Sequence, residues 1–184
     1  LARLDNPHKK QRFVHIGGSK GKGSTATYIA SILNQAGYRT GLFTSPHFVS
    51  PRERCCIDNT PISQNDFAQC LIDIQPAITY VLKQQDRWGR LSFFELYTAL
   101  SIYYFAQQEV DWSVIEVGLG GRLDATNIVQ PELSVITPIS LEHQKVLGHT
   151  IADIADQKAG IIKSRTPLIL GPQPKSAESI FEKT

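Results

Sequence analysis

The sequence predicts an α/β fold, a mostly parallel sheet flanked by helices, with a phosphate-binding loop (P-loop) for a nucleoside triphosphate on its first strand. Three observations predict it. Short β-prone runs alternate with stretches of helical periodicity, the pattern of right-handed strand–helix–strand crossovers. A glycine-rich segment, Gly17 to Ser24, lies between the first such run and the first helical stretch. The polar residues that no core pattern accounts for cluster after strand ends: the glycine loop, Thr44 to His47, Glu116 to Asn127, and Leu141 to His143. In an open parallel sheet that edge is where ligands bind.

Taken in order, Arg12 to Ile16 reads as a strand, and Ile29, Ile32, Leu33 and Ala36 then recur at helical spacing up to Gly37. Thr40 to Thr44 is a second strand, followed by a loop from Ser45 to Pro61 rich in proline, charge and cysteine. Ser63 and Asp66 make a weak capping box for a helix carrying Phe67, Leu71, Ile74, Ile78 and Leu82, with Pro76 as a point of kinking. Arg87 to Leu91 is a break. Ser92 and Glu95 form a better capping box for a helix through Leu100 to Ala106. Trp112 to Val117 is a buried strand, and Leu133 to Thr137 another. Thr150 and Asp153 open a helix with Ile151, Ile154 and Ala155 on one face, and Pro167 to Leu170 is the last strand before a helical start at Ser176 to Phe181.

With 184 residues, 41% hydrophobic and 20% charged, the chain can bury one sizeable core. A formal charge of +2 gives no footing for a nucleic acid or a membrane surface as partner. Cys55 and Cys56 are adjacent and Cys70 stands alone, so neither a metal-ligand spacing nor an even disulfide framework emerges, and the cytoplasm is the expected compartment. Leu1 stands in place of a methionine, and the last residues are just turning helical; both ends read as cut, and residues 1–184 are expected to form one incomplete domain.

The segment Gly18-Ser19-Lys20-Gly21-Lys22-Gly23-Ser24-Thr25 can cradle phosphate oxygens with successive backbone N–H groups and a helix N-terminus. It departs from the strict P-loop pattern, because Ile16 occupies the first glycine position and Gly23 separates Lys22 from Ser24. The chemical parts remain: Lys22 can reach β- and γ-phosphates, and Ser24 can offer its hydroxyl to Mg²⁺. Glu116 interrupts the apolar Val114, Ile115 and Val117, where a lone carboxylate is costly unless paired or metal-bound; the alternative is an edge position facing water. His143 is read equally as a structural histidine or a ligand. Lys158, seven residues after Ile151, shares the inward helix face, either snorkelling past the core or serving a site there. Lys163 reads as an ordinary solvated residue. Arg52, Glu53 and Arg54 either meet an acidic substrate or solvate a long loop, and the cysteines lack an activating base.

At these residues the chain resembles the folylpolyglutamate synthase and dihydrofolate synthase family, of the Mur ligase group. The glycine segment resembles the family P-loop, Thr44-Ser45-Pro46-His47 its substrate loop, and Val114 through Val129, with Gly120-Gly121-Arg122-Leu123-Asp124, its most specific signature. Leu141 to His143 and Gln157 to Lys163 are similar to two further segments. Mild departures are Ser19 for threonine, Lys20 for asparagine and Glu142 for aspartate.

The resemblance implies a Mur-ligase central-domain fold and an ATP-dependent amide ligase that adds L-glutamate to dihydropteroate or a reduced folate through an acyl phosphate. It implies Mg²⁺ at two sites, the first held by Ser24 and Glu116, the second by His143 and a carbamylated Lys158. Lys22 would act on the transferring phosphate, Thr44, Ser45, Pro46, His47, Arg122 and Asp124 on substrate, and the protein would be a monomer completed by a C-terminal glutamate-ligase domain. Two other readings stay open: a Mur-type ligase for another acceptor, and a nucleotide-binding switch that makes no amide bond.

Overall fold

The fold follows from one central strand and what each of its faces must bury. The computed structural model describes residues 1–84, 86 and 89–184. Its sheet comprises β1 (Phe13–Gly17), β2 (Thr40–Phe43), β3 (Cys55–Ile57), β4 (Thr60–Pro61), β5 (Trp112–Glu116), β6 (Leu133–Ile136) and β7 (Leu168–Leu170), in the order β4-β3-β2-β5-β1-β6-β7. Five strands run parallel, with β1 between β5 and β6; Val14 pairs with Val114 on one side and Leu133 on the other. β3 pairs antiparallel with β2, and β4 pairs antiparallel with β3 at the sheet's edge.

Strand residues alternate between faces. Val14, Ile16, Leu42, Val114 and Val135 bury one face against α1 (Lys22–Gln35). Phe13, Phe43 and Ile115 bury the other against α2 (Gln64–Leu82) and α3 (Phe93–Gln107). Beyond them, Ile136 and Val117 join α4 (Gln144–Leu147), α5 (Ile151–Ala159) and α6 (Lys175–Phe181) in a further cluster. The capping box expected at Ser92/Glu95 forms, and the helix expected to open at Thr150 and Asp153 starts with a capping box of those two residues. At α2 the Ser63 hydroxyl accepts from the Asp66 N–H and donates to its carboxylate, and the helix continues through Pro76.

Three expectations need correcting. The apolar face of α1 is Ala26 and Ala30, with Ile29 and Leu33 partly covered, whereas Ile32 is 67% exposed and Ala36 lies in water. Small residues let the helix lie close on β1 and β5, and bulk at the rim of the contact is left out. The expected loop from Ser45 to Pro61 contains the β3–β4 hairpin, turned by Asp58 and Asn59 at positive φ (49° and 63°). Lys163 is partly buried, its ammonium donating to Asn127 Oδ1 at 2.8 Å, and burial lowers its pKa. Of the break expected at Arg87 to Leu91, positions 87 and 88 lie outside the described residues; 89–91 are non-helical.

Candidate functional site

All four polar clusters expected at strand ends meet at one edge of the sheet. β1 ends at Gly17, and α1 starts at Lys22 after Gly21 in the left-handed region (φ 80°). Gly18 passes so close to β6 that a Cβ there would lie 1.8 Å from Thr137 Oγ1, at a φ of +135° that also favours glycine. Ser19 and Lys20 donate their backbone N–H groups to Pro138 O (3.1 and 3.4 Å), and Ser19 Oγ donates to Ser140 O (3.1 Å). The loop is therefore strapped to the segment after β6, with Lys20, Gly21 and Ser24 exposed and Lys22 and Thr25 half-buried at the helix start.

Glu116 ends β5 on the α1 side and is only 4% exposed. Its Oε2 accepts the Ser45 N–H (2.8 Å), and a Cβ on Gly23 would come within 3.3 Å of the same oxygen. Gly23, which breaks the strict P-loop pattern, thus lets a carboxylate reach the first turn of α1. Burial raises the Glu116 pKa; the Ser45 and Gly23 N–H groups and the Lys22 charge oppose that rise without cancelling it.

Across the glycine loop lies Lys158, 1% exposed on α5 beside Ile154 and Ala155. Its ammonium donates to Gly18 O at 2.7 Å and pairs with Glu142 Oε1 at 2.7 Å. Burial lowers its pKa, and the hydrogen bond and charge of Glu142 work against that shift. His143, next to this pair, is exposed and holds φ 44° at the start of α4.

The third wall is the 44–54 loop, closed at its base by Thr44 N–H to Arg54 O (3.2 Å). The Ser45–Pro46 peptide is cis. Arg54 Nε donates to His47 Nδ1 (2.9 Å), and its guanidinium lies 5.3 Å from the Phe93 ring centroid. Glu53 faces away, accepting the N–H groups of Phe48, Val49 and Ser50, and Arg52 donates to Ile62 O. Ser19, Lys22, Ser45, Pro46, Arg54, Phe94, Gly118, Leu119, Asp124, Glu142 and His143 line one open cleft of about 530 Å³.

The chain is 41% identical over 182 residues to the dihydrofolate synthase/folylpolyglutamate synthase of Bacillus subtilis and 43% identical over 171 residues to the folylpolyglutamate synthase of Lacticaseibacillus casei. These matches take in 98% and 93% of the chain. The chain belongs to the folylpolyglutamate synthase/dihydrofolate synthase family. It spans less than half the length of those relatives, 42% and 40%. The solved FPGS–AMPPCP–folate complex superposes with a TM-score of 0.94 at 40% identity, covering 99% of this chain and 44% of that one. No general family model matches the sequence. The Mur-ligase type of fold expected from the resemblance is therefore the fold observed.

Within this family frame, Lys22, Ser45, Pro46, Asp124 and His143 line the cleft, and Glu116 lies beneath it. Arg122 is not among the lining residues: its guanidinium pairs with Asp156 (3.0 Å), and its backbone N–H donates to Gln157 O, tying the 118–124 loop to α5. Thr44 and His47 are not among the lining residues either: the Thr44 N–H closes the loop base, and His47 accepts from Arg54. Reading the sequence passed over Phe94 and Leu119, which carry no polar signal, and left Arg54 undecided. A second cleft of about 420 Å³ shares Phe94, Leu119 and Asp124 with the first and continues over Leu123, Val146 and Gln157. Leu123 is 92% exposed at its rim.

Proposed function

We propose that this chain supplies the nucleotide cleft of an ATP-dependent ligase that joins L-glutamate to dihydropteroate or a reduced folate. The observation that carries the reading is the abutment of two clefts. One is polar, formed by the glycine loop, Lys22, Arg54 and His143; the other has an apolar rim, and Phe94, Leu119 and Asp124 are common to both. ATP phosphates fit the first, against the helix N-terminus and Lys22. The flat aromatic body of a folate fits the second, its faces against apolar side chains and its polar ring edge toward groups such as Ser92, Glu95 and Gln157, with its carboxylate directed to the shared wall. In-line transfer of the γ-phosphoryl group to that carboxylate gives an acyl phosphate and ADP. The amino group of glutamate then attacks the acyl carbon, and an amide and inorganic phosphate result. The full reaction belongs to the whole protein; the part assigned to this chain is binding and aligning the two reacting oxygens. The likeness to an FPGS holding AMPPCP and folate supports both occupants.

The residues present suit Mg²⁺ at the phosphates. A 4%-exposed carboxylate whose pKa is raised by burial gains from a cation beside it, and Ser24 follows Gly23, the residue of the first turn of α1 against which that carboxylate lies. Mg²⁺ there would neutralise charge on the transferring phosphate. A second ion would be held by His143 and Lys158 as its carbamate. The carbamate would set an anion beside Glu142, an arrangement a cation stabilises, and burial favours the uncharged amine that carbamylation requires. A switch needs no acceptor cleft, and a Mur-type ligase for a bulky polar acceptor would not call for the apolar rim of Phe94 and Leu119.

The test is phosphate release from ATP by the intact protein with L-glutamate, offering dihydropteroate and tetrahydrofolate separately. Release that needs both co-substrates, with a product heavier by one glutamyl unit, is the expected result. ATP binding without acceptor-dependent release would discard the folate reading.

A further inference from the structure

A histidine lies at the centre of the sheet, outside the residues that line either cleft. His15, in the middle of β1, is 0% exposed, a place where a polar ring is costly unless hydrogen-bonded. Its Nε2 lies 2.8 Å from Thr126 Oγ1, which is itself 2.6 Å from Asp124 Oδ1. The direction of these bonds is fixed by counting protons. Asp124 already accepts the N–H groups of Thr126 (3.0 Å, on Oδ1) and Leu119 (2.8 Å, on Oδ2), which suits an ionised carboxylate, so the Thr126 hydroxyl must spend its one proton on Asp124. The bond between His15 and Thr126 must then be donated by the ring. That makes His15 the Nε2–H tautomer and leaves Nδ1 as a bare acceptor, and Nδ1 has no partner among the described residues. Burial, reinforced by the Lys163 charge, pushes the His15 pKa down to about 3, so the ring stays a neutral one-way donor across the physiological range.

We propose that His15 is a positioning residue which, through Thr126, fixes the Asp124 carboxylate at the wall shared by the two clefts. This rests on the ligase reading for its substrate, not for its geometry. Asp124 starts the short 3₁₀ turn Ala125–Ile128 and would otherwise be placed only by the loop it closes. The relay couples it instead to β1, the strand that also carries the glycine loop. Acceptor wall and phosphate loop therefore share one rigid reference. If filling space were the only requirement, a leucine would serve better than a ring with an orphaned nitrogen. Thr126, also 0% exposed, is equally polar for a core position.

The experiment compares His15→Leu, His15→Gln, Thr126→Val and the His15→Leu/Thr126→Val double variant in the intact protein. The Gln amide can place an N–H where Nε2 was. Leu removes the donor, and Val removes the intermediate hydroxyl while keeping shape. His15→Leu and Thr126→Val are expected to raise the acceptor KM about tenfold with the ATP KM within about twofold, and the double variant to be no worse than either single. His15→Gln should recover most of the loss. Equal defects in Leu and Gln, additive effects in the double variant, or a fall in Tm with no change in acceptor KM would overturn the proposal.

Imidazole ¹⁵N NMR of the wild-type chain provides an arm independent of turnover. The Nε2–H tautomer, neutral down to about pH 5, is expected, with its resonance shifted in Thr126→Val. Titration near the ordinary histidine value or an Nδ1–H tautomer would refute the relay. A wild-type protein that shows the expected tautomer but no folate-dependent turnover would discard the ligase reading and leave the relay standing.

Discussion

Two buried charges flank the glycine loop, and they are handled in opposite ways. Lys158 is closed from within: an ion pair to Glu142 and a hydrogen bond to Gly18 O, both at 2.7 Å, satisfy its ammonium. Glu116 is as deeply buried, but it has backbone N–H groups and a more distant Lys22 in place of an ion pair; burial pushes both groups toward their neutral forms, and the difference lies in the partner each is given. A buried charge that the protein completes by itself reads as architecture; one left short of countercharge reads as a place for a ligand. On that contrast, Glu116 is the stronger pointer to a cation, and Lys158 must exchange its present partners to become a metal ligand.

Substitution at Lys158 is the most costly. Lys158→Met leaves the Glu142 carboxylate and Gly18 carbonyl without a donor, and a loss of about 3 kcal/mol is expected for a pair of this burial. Thermal unfolding should show it as a drop of roughly 6–12 °C, largely recovered when Glu142 is also made apolar. No change in Tm would mean that the pair is not formed in solution.

A neutral buried group offers the control. His15 has its folded pKa depressed to about 3, so the unfolded chain binds more protons than the folded one at acid pH. Stability is then complete above the ordinary histidine value and declines as pH falls below it, by about 2 kcal/mol between pH 6.5 and 5. Urea titrations of wild type and His15→Gln should diverge over that interval, with the variant the flatter; parallel curves would mean that His15 is not locked neutral.

At Glu116 the sign reverses. Because the folded pKa is raised, its contribution is fully present below the ordinary glutamate value of 4.5 and is lost as pH rises through the folded pKa. Without nucleotide or divalent cation, Glu116→Gln should therefore be more stable than wild type at pH 7 by about 1 kcal/mol, a gain that disappears at acid pH. In isothermal titration the same variant should lose at least about tenfold in Mg²⁺-dependent nucleotide affinity. A variant less stable than wild type at pH 7 would show that the charge is fully compensated by its N–H donors.

The smallest effect is expected at Arg122. Its pair with Asp156 is half-exposed, so Arg122→Ala should cost under about 0.5 kcal/mol and leave substrate KM values unchanged. A rise in acceptor KM would restore it to the substrate-binding set.

What the sequence made legible follows from what leaves a local trace. The five parallel strands, the place of α1, the Ser92/Glu95 capping box and the edge carrying the site were readable, because glycine loops, caps and apolar runs act within a few residues. The β3–β4 hairpin was hidden by Pro51, Arg52 and Arg54, although Asp58-Asn59, two residues tolerant of positive φ, was the available signal. Lys158 was legible as inward-facing from its spacing alone, but Glu142 as its partner was not, since they meet only through tertiary packing. Phe94 and Leu119 look like any core residue in sequence; only the convergence of α3 with the loop after β5 makes them a wall.

The 48–50 segment is held from within by one carboxylate. The Glu53 carboxylate accepts three successive backbone N–H groups while Phe48 and Val49 stand 96% and 89% in water. Such a tip has its main chain organised before anything touches it, so the entropy of ordering that backbone is lost during folding and not at the encounter. Molecules that meet these two side chains meet a surface already set in shape, and the selectivity of that meeting rests on fit and not on how readily the loop can be persuaded to settle.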